Sequence, residues 1–221
     1  MPRAAVPSPL RRAVGEALAV VFPISCAGCD LPDVDLCDRC GADLRADPRS
    51  RRLPGGIEVR SALVFDGVPA RVIRAFKEDG RTSLAAPLGR ALRGAWPPDC
   101  DAVAVPIPAS RPSMRRRGYA PVELVCRRAG WRPFPLVRVV RATADQRHLG
   151  REERAANLAG VMTVRPGAAT RLAGRSVVLV DDVVTTGATL TEAARALVDA
   201  GVHVAGALTI ASTPRRGASR G

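Results

Sequence analysis

The run from Val177 to Val180 is followed at once by Asp181 and Asp182 and then by Val-Val-Thr-Thr-Gly-Ala-Thr, ending at Thr189. An unbroken apolar run rich in β-branched residues predicts a buried strand. Residues 189–201 carry helical spacing and end on glycine, and residues 202–213 return to strand character. Strand, helix and strand in close succession predict a crossover unit, and therefore a mainly parallel sheet.

The same alternation runs upstream. Residues 57–65 alternate as a strand, 70–80 and 84–95 have helical spacing, and 100–110 form a short apolar strand broken by proline. The arginine-rich stretch 111–119 is expected as a loop. Residues 120–130 follow as a helix with proline near its start and glycine after its end, and 136–143 as a strand. Residues 143–157 are polar and charged, which predicts an excursion from the core. Stretch 41–56 is polar and closed by Pro-Gly-Gly, as a connection reads. The expected organisation is an N-terminal helix (1–24), a cysteine ribbon and linker (25–56), an α/β domain (57–211) and a tail (212–221).

With 221 residues and 47% apolar content, the chain suits one ordinary domain with a small appendage. Its net charge of +13 favours anionic partners such as phosphorylated metabolites or nucleic acid. A compositional preference for arginine is the competing explanation, because Lys77 is the only lysine. The N-terminal stretch begins like an export signal, but Glu16 interrupts its apolar run and Pro23 stands where a processing site needs a small residue. A short amphipathic helix and a cytoplasmic protein without a membrane span are expected.

Ligands of open α/β sheets bind beyond the carboxyl ends of the strands, where Asp181 and Asp182 are expected. Thr185, Thr186, Gly187, Ala188 and Thr189 then lead into a helix whose first free N–H groups suit a phosphate. Paired carboxylates suit vicinal hydroxyls or a hydrated Mg²⁺ instead. A ligand meeting both demands carries a 5′-phosphate and ribose hydroxyls. A nucleoside triphosphatase loop is excluded, since it needs lysine followed by serine or threonine and Lys77 precedes Glu78. The plain alternative leaves Asp181 capping a turn, Asp182 solvated and Thr189 capping a helix.

Cys26, Cys29, Cys37 and Cys40 form two Cys-x2-Cys pairs separated by seven residues. Such paired knuckles deliver four thiolates to a structural tetrahedral Zn²⁺, with disulfides as the alternative in an oxidising compartment. Cys100 and Cys126 have no companion at ligand spacing and are expected to serve packing. His148 and His203 form no paired metal site.

The stretch VVLVDDVVTTGATL resembles the phosphoribosyl pyrophosphate (PRPP) motif of type I phosphoribosyltransferases. The resemblance implies that Asp181 and Asp182 contact the ribose hydroxyls and that Thr185–Thr189 hold the 5′-phosphate. Nearly the whole chain, through FPISCAGC, IRAFKEDGR, VPIPASRPSMRRRGY and the spaced Gln146, Leu149, Arg154 and Asn157, resembles the ComF family, associated with bacterial competence for DNA uptake. The implied fold is a type I phosphoribosyltransferase-like parallel sheet flanked by helices, with a small N-terminal zinc ribbon.

By the same resemblance, Arg115, Arg116 and Arg117 meet the pyrophosphate, which suits their charge and fork geometry. Residues 143–157 correspond to a lid from which Arg154 reaches the leaving group, and Mg²⁺ accompanies PRPP. The family's usual RGFNQ stands here as Arg117-Gly118-Tyr119-Ala120-Pro121, without the Asn-Gln pair. The implied function is transfer of phosphoribosyl from PRPP to an acceptor. A PRPP sensor and a module binding single-stranded DNA are the alternatives.

Overall fold

A computed structural model describes residues 24–96, 100–109, 111–140 and 160–214. The expected N-terminal helix, the excursion at 143–157 with Gln146, Leu149, Arg154 and Asn157, and the tail beyond Pro214 lie outside the described residues.

The strands are β1 (Arg49–Arg52), β2 (Glu58–Val64), β3 (Val103–Pro106), β4 (Val137–Val139), β5 (Met162–Val164), β6 (Val177–Val184) and β7 (Val204–Ser212). The helices are α1 (Asp38–Ala42), α2 (Gly67–Glu78), α3 (Ala85–Ala95), α4 (Arg111–Arg117), α5 (Pro121–Arg128), α6 (Ala168–Leu172) and α7 (Ala188–Asp199). Five strands make one sheet in the order β1-β2-β7-β6-β3, while β4 and β5 pair separately and antiparallel. Within the five, β2, β7, β6 and β3 run parallel, and β1 closes the edge antiparallel to β2. The architecture is thus the mainly parallel, helix-flanked sheet that the strand–helix alternation predicts.

Both faces of this sheet are covered, which is why its central strands can be apolar without alternation. Along β6, Val178 and Val180 join one core with Phe76 of α2, Leu88 and Leu92 of α3 and Val125 of α5. Val177 and Leu179 point the other way, into a second core with Leu190 and Leu197 of α7 and Met162 of β5.

Two local expectations change. Stretch 41–56, expected as a connection, contributes β1, whose Arg49 and Arg51 stand opposite Ser61 and Val59. Residues 111–117, expected as a loop, form α4. Proline in the first turn is compatible with a helix and arginine is a good helix former, so the run's charge does not oppose helicity. The β5 strand and α6 carried no periodic signal that distinguished them in advance.

Helix α3 approaches α5 closely at Gly89. A Cβ there would lie 2.8 Å from the Arg128 carbonyl carbon and 2.9 Å from the Ala129 nitrogen. Backbone cannot yield as a side chain can. Gly89→Ala is therefore expected to lower stability by roughly 1–3 kcal/mol despite alanine's better helix propensity. A lower midpoint of urea unfolding would show it.

Candidate functional site

The site arises where neighbouring strands differ in length. Pairing of β3 with β6 ends at Pro106 opposite Val180, closed by the Ile107 N–H donating to the Val180 carbonyl at 2.8 Å. On the other side, β6 stays paired with β7 as far as Val184 opposite Ser212. Asp181 and Asp182 therefore lie within β6 rather than after it, held by β7 on one side and open on the side where β3 has ended. The helix following β6 packs in one core and α5 following β3 in the other, so the chain leaves these adjacent strands toward opposite faces. Such a divergence opens a crevice at the carboxyl ends of the strands.

The crevice is a cleft of about 320 Å³ whose walls include Asp181, Asp182, Thr189, Lys77 and Arg117. That volume sits at the lower end of small-molecule sites, about 300–1,000 Å³. The two acids are locally braced. Asp181 Oδ1 accepts from the Asp182 N–H at 2.8 Å, and Asp182 Oδ1 accepts from the Val183 N–H at 2.6 Å. Lys77 Nζ lies 2.6 Å from Asp182 Oδ2, with the lysine side chain 27% and the aspartate 19% exposed. Burial, with the adjacent Asp182 carboxylate, pushes the Asp181 carboxyl up to about 8, against the Asp182 N–H and Lys77, which lower it.

The loop after β6 is shaped from behind. Gly187 caps α7 at a left-handed φ of 88°, and a Cβ on it would overlap the Leu53 side chain. Arg51 Nη2 donates to the Thr185 carbonyl at 2.7 Å. Thr186 Oγ1 accepts from the Ala188 N–H at 3.3 Å. Residues from stretch 41–56 thus support the loop from Thr185 to Thr189, a role that their sequence did not signal.

Of Arg115, Arg116 and Arg117, only Arg117 lines the cleft, and its buried Nε has no hydrogen-bond partner among the described residues. Arg115 and Arg116 are exposed and stand outside the cleft wall. Arg154 lies outside the described residues. Tyr119 donates its hydroxyl to the Phe76 carbonyl and packs on the Phe76 ring at 5.7 Å. It ties the α4–α5 junction to the last turn of α2, beside Lys77. Sequence analysis gave Lys77 no place in this site, although it is the sequence's one lysine and lies in the stretch IRAFKEDGR.

The Sγ atoms of Cys26, Cys29, Cys37 and Cys40 all lie within 4.8 Å of one another. Cys29 and Cys37 are 3.7 Å apart, close to the edge of about 3.8 Å that a tetrahedron with metal–sulfur bonds of about 2.3 Å requires. The Gly28 and Cys37 N–H groups donate to Cys26 Sγ at 3.4 and 3.3 Å. Against burial, which raises it, the backbone N–H groups of Cys37, Gly28 and Cys29 bring the Cys26 thiol down to about 6. No disulfide joins any of the six cysteines, all of which lie among the described residues. These four can hold a metal ion. Cys126 is buried apart from them, and burial pushes its thiol up to about 12.

The cluster is tied to the segment that follows α2 through Arg81. Its Nε donates to Asp35 Oδ1 at 2.8 Å, and its Nη2 reaches the carbonyls of Ser25 and Asp35, each at 2.7 Å. Ala27 and Leu44 complete the contact from inside the first core.

One family model matches the chain. Residues 116–220 match the family model of the phosphoribosyl transferase domain. A search of curated proteins finds no match. The C-terminal part of the chain is thus similar to a phosphoribosyl transferase domain, and a four-cysteine cluster precedes it. The matched segment holds the acid pair and its loop, whereas Lys77 and the β3 side of the cleft precede it. Among the described residues, no helix is long and apolar enough to cross a membrane.

The raised Asp181 carboxyl has a consequence for stability. Its folded value lies above the ordinary value near 4 of an unfolded chain, so the folded form binds the extra proton. Its favourable contribution is complete below about pH 4 and is lost as pH rises through about 8. In magnesium-free buffer, Asp181→Asn is expected to gain melting temperature over the unaltered protein progressively between these limits. A difference independent of pH would contradict the burial argument.

Proposed function

We propose that this protein binds PRPP in the cleft between β3 and β6 and transfers its phosphoribosyl group to an acceptor with release of pyrophosphate. The observation that carries this reading is the convergence of two carboxylates, Thr189 and the unpartnered Nε of Arg117 on one cleft beside a backbone-braced loop. Carboxylates and a phosphate loop recognise opposite ends of a phosphorylated ribose. The match of residues 116–220 to the phosphoribosyl transferase domain supports the same assignment.

In this reading Asp181 and Asp182 accept hydrogen bonds from the ribose hydroxyls. Thr185, Thr186, Gly187, Ala188 and Thr189 surround the 5′-phosphate, with the α7 N-terminus adding N–H donors and positive dipole. Arg117 offers its free donor to the diphosphate, and Arg115 and Arg116 add positive field from outside the cleft. Asp181 and Asp182 would also offer oxygen donors to Mg²⁺, which supplies neutralising charge to the diphosphate when bound.

During transfer, the bond from ribose C1 to the diphosphate oxygen breaks and its electron pair leaves with pyrophosphate. A bond from the acceptor to C1 forms on the opposite face, and the acceptor's proton passes to solvent. Positive charge developing on the ribose faces the carboxylates, while Arg117 meets the negative charge on the departing group. No protein nucleophile is needed. Asp181 and Asp182 bind and orient. Arg154, outside the described residues, is proposed to add charge to the leaving group.

The four cysteines hold a structural zinc in this reading, since the thiolate set, the sulfur spacing and the N–H···S bonds suit it. A ribbon of this kind ahead of a phosphoribosyl transferase domain fits a cytoplasmic ComF-like protein. Binding of single-stranded DNA has less support. Among the described residues none of the exposed large apolar side chains is aromatic, and Trp96 and Trp131 pack against each other at 4.4 Å with their rings tilted by 47°.

Two measurements test these assignments. Calorimetric titration with PRPP and Mg²⁺ is expected to show binding that Asp181→Asn with Asp182→Asn weakens by roughly a hundredfold or more. Absence of binding by the folded, unaltered protein at millimolar ligand would refute the reading. Metal analysis is expected to find about one zinc per chain, and Cys40→Ser should lose it together with part of the melting temperature.

A further inference from the structure

The chain uses arginine at every basic position but one. Lys77 is the only lysine among 34 basic residues, and it lies on the wall of the acid-pair cleft. A place in the last turn of α2 does not account for this choice, because a helix C-terminus accepts any cation and arginine would serve equally.

The geometry around Asp182 does distinguish the two cations. Asp182 Oδ1 is already engaged by the Val183 N–H at 2.6 Å, so only Oδ2 is open to a cationic partner, and Lys77 Nζ meets it at 2.6 Å. The guanidinium fork of arginine gains its advantage by gripping both oxygens, which is not possible here. An ammonium is a compact charge with three donors, of which the Asp182 contact uses one. The others remain for a ligand in the cleft. The turn that carries Lys77 is held on both sides: Tyr119 anchors the Phe76 carbonyl before it, and Arg81 locks the following loop to the cysteine cluster.

We infer that Lys77 is a ligand-binding residue of this site, using one donor to aim Asp182 and the others to contact the phosphoryl oxygens of the bound ligand. The inference rests on the PRPP reading and adds to it a residue that lies before the segment matching the family model.

Because Lys77 is the only lysine of this sequence, it is the one side-chain amine here that an acylating reagent can label, with an α-amino group as internal reference. Labelling at mildly alkaline pH, read by peptide mass spectrometry, is expected to slow at Lys77 roughly tenfold or more with Mg²⁺ and PRPP, leaving the α-amino rate unchanged. In parallel, Lys77→Met and Lys77→Arg are each expected to weaken PRPP binding by roughly ten- to a hundredfold, with zinc content and the ligand-free melting temperature retained.

Binding of PRPP by the unaltered protein with neither protection of Lys77 nor loss of affinity in Lys77→Met would overturn the inference alone. Lost affinity without protection would confine Lys77 to orienting Asp182 and overturn the ligand contact. Full affinity in Lys77→Arg would overturn the requirement for a point charge. Should the unaltered protein bind no PRPP, both the inference and the reading beneath it fall. If the variants fail to fold, the labelling of the native chain decides.

Discussion

The inequality of β3 and β6 is the constraint on which the rest of this molecule depends. Parallel strands are buried on both faces by the helices that connect them, so a carboxylate inside the sheet would be desolvated without compensation. Here β6 is apolar through Val180, the last residue that β3 covers, and its first acid is the next residue. Continued pairing with β7 keeps Asp181 and Asp182 on a rigid strand, while the end of β3 gives them an opening. Rigidity on one side and solvent access on the other are what a binding carboxylate needs.

The parts that complete the cleft come from distant positions and act through α2 and β1. The last turn of α2 presents Lys77 to Asp182, and Arg81 just beyond it grips Asp35 in the cysteine cluster. The edge strand β1 sends Arg51 to the Thr185 carbonyl, and Leu53 fills the space that a side chain at Gly187 would need. The cysteine cluster and the edge strand are thereby structural neighbours of the acid pair and its loop. Their hydrogen bonds and packing limit how far that loop and the α2 terminus can shift.

Legibility in the sequence followed the range of each interaction. The strand at β6, the helix after it and the strand at β7 were readable because their periodicities are local and unambiguous. The four cysteines were readable because ligand spacing within a knuckle is set by a few bonds. Helix α4 was not, since charge and proline resemble a loop when considered alone. The β1 strand was hidden for a related reason: Arg-Ser-Arg-Arg has no alternation, and it becomes a strand through its pairing with β2. Among the arginines at 115–117, sequence alone offered no ground for separating Arg117 from its neighbours. The direction of each side chain on a short helix depends on where that helix packs.

By itself, the sequence determined the α/β class, the acid pair with its hydroxyl-rich loop, and a four-thiolate cluster, because each is encoded in a contiguous run whose spacing maps directly onto geometry. Only the tertiary structure decided that β3 stops short of the acids, that Lys77 faces Asp182 across more than a hundred residues of chain, and that Leu53 backs Gly187. Those relations are set by how separate elements pack and by where strands end against one another, and no local pattern of residues carries that information.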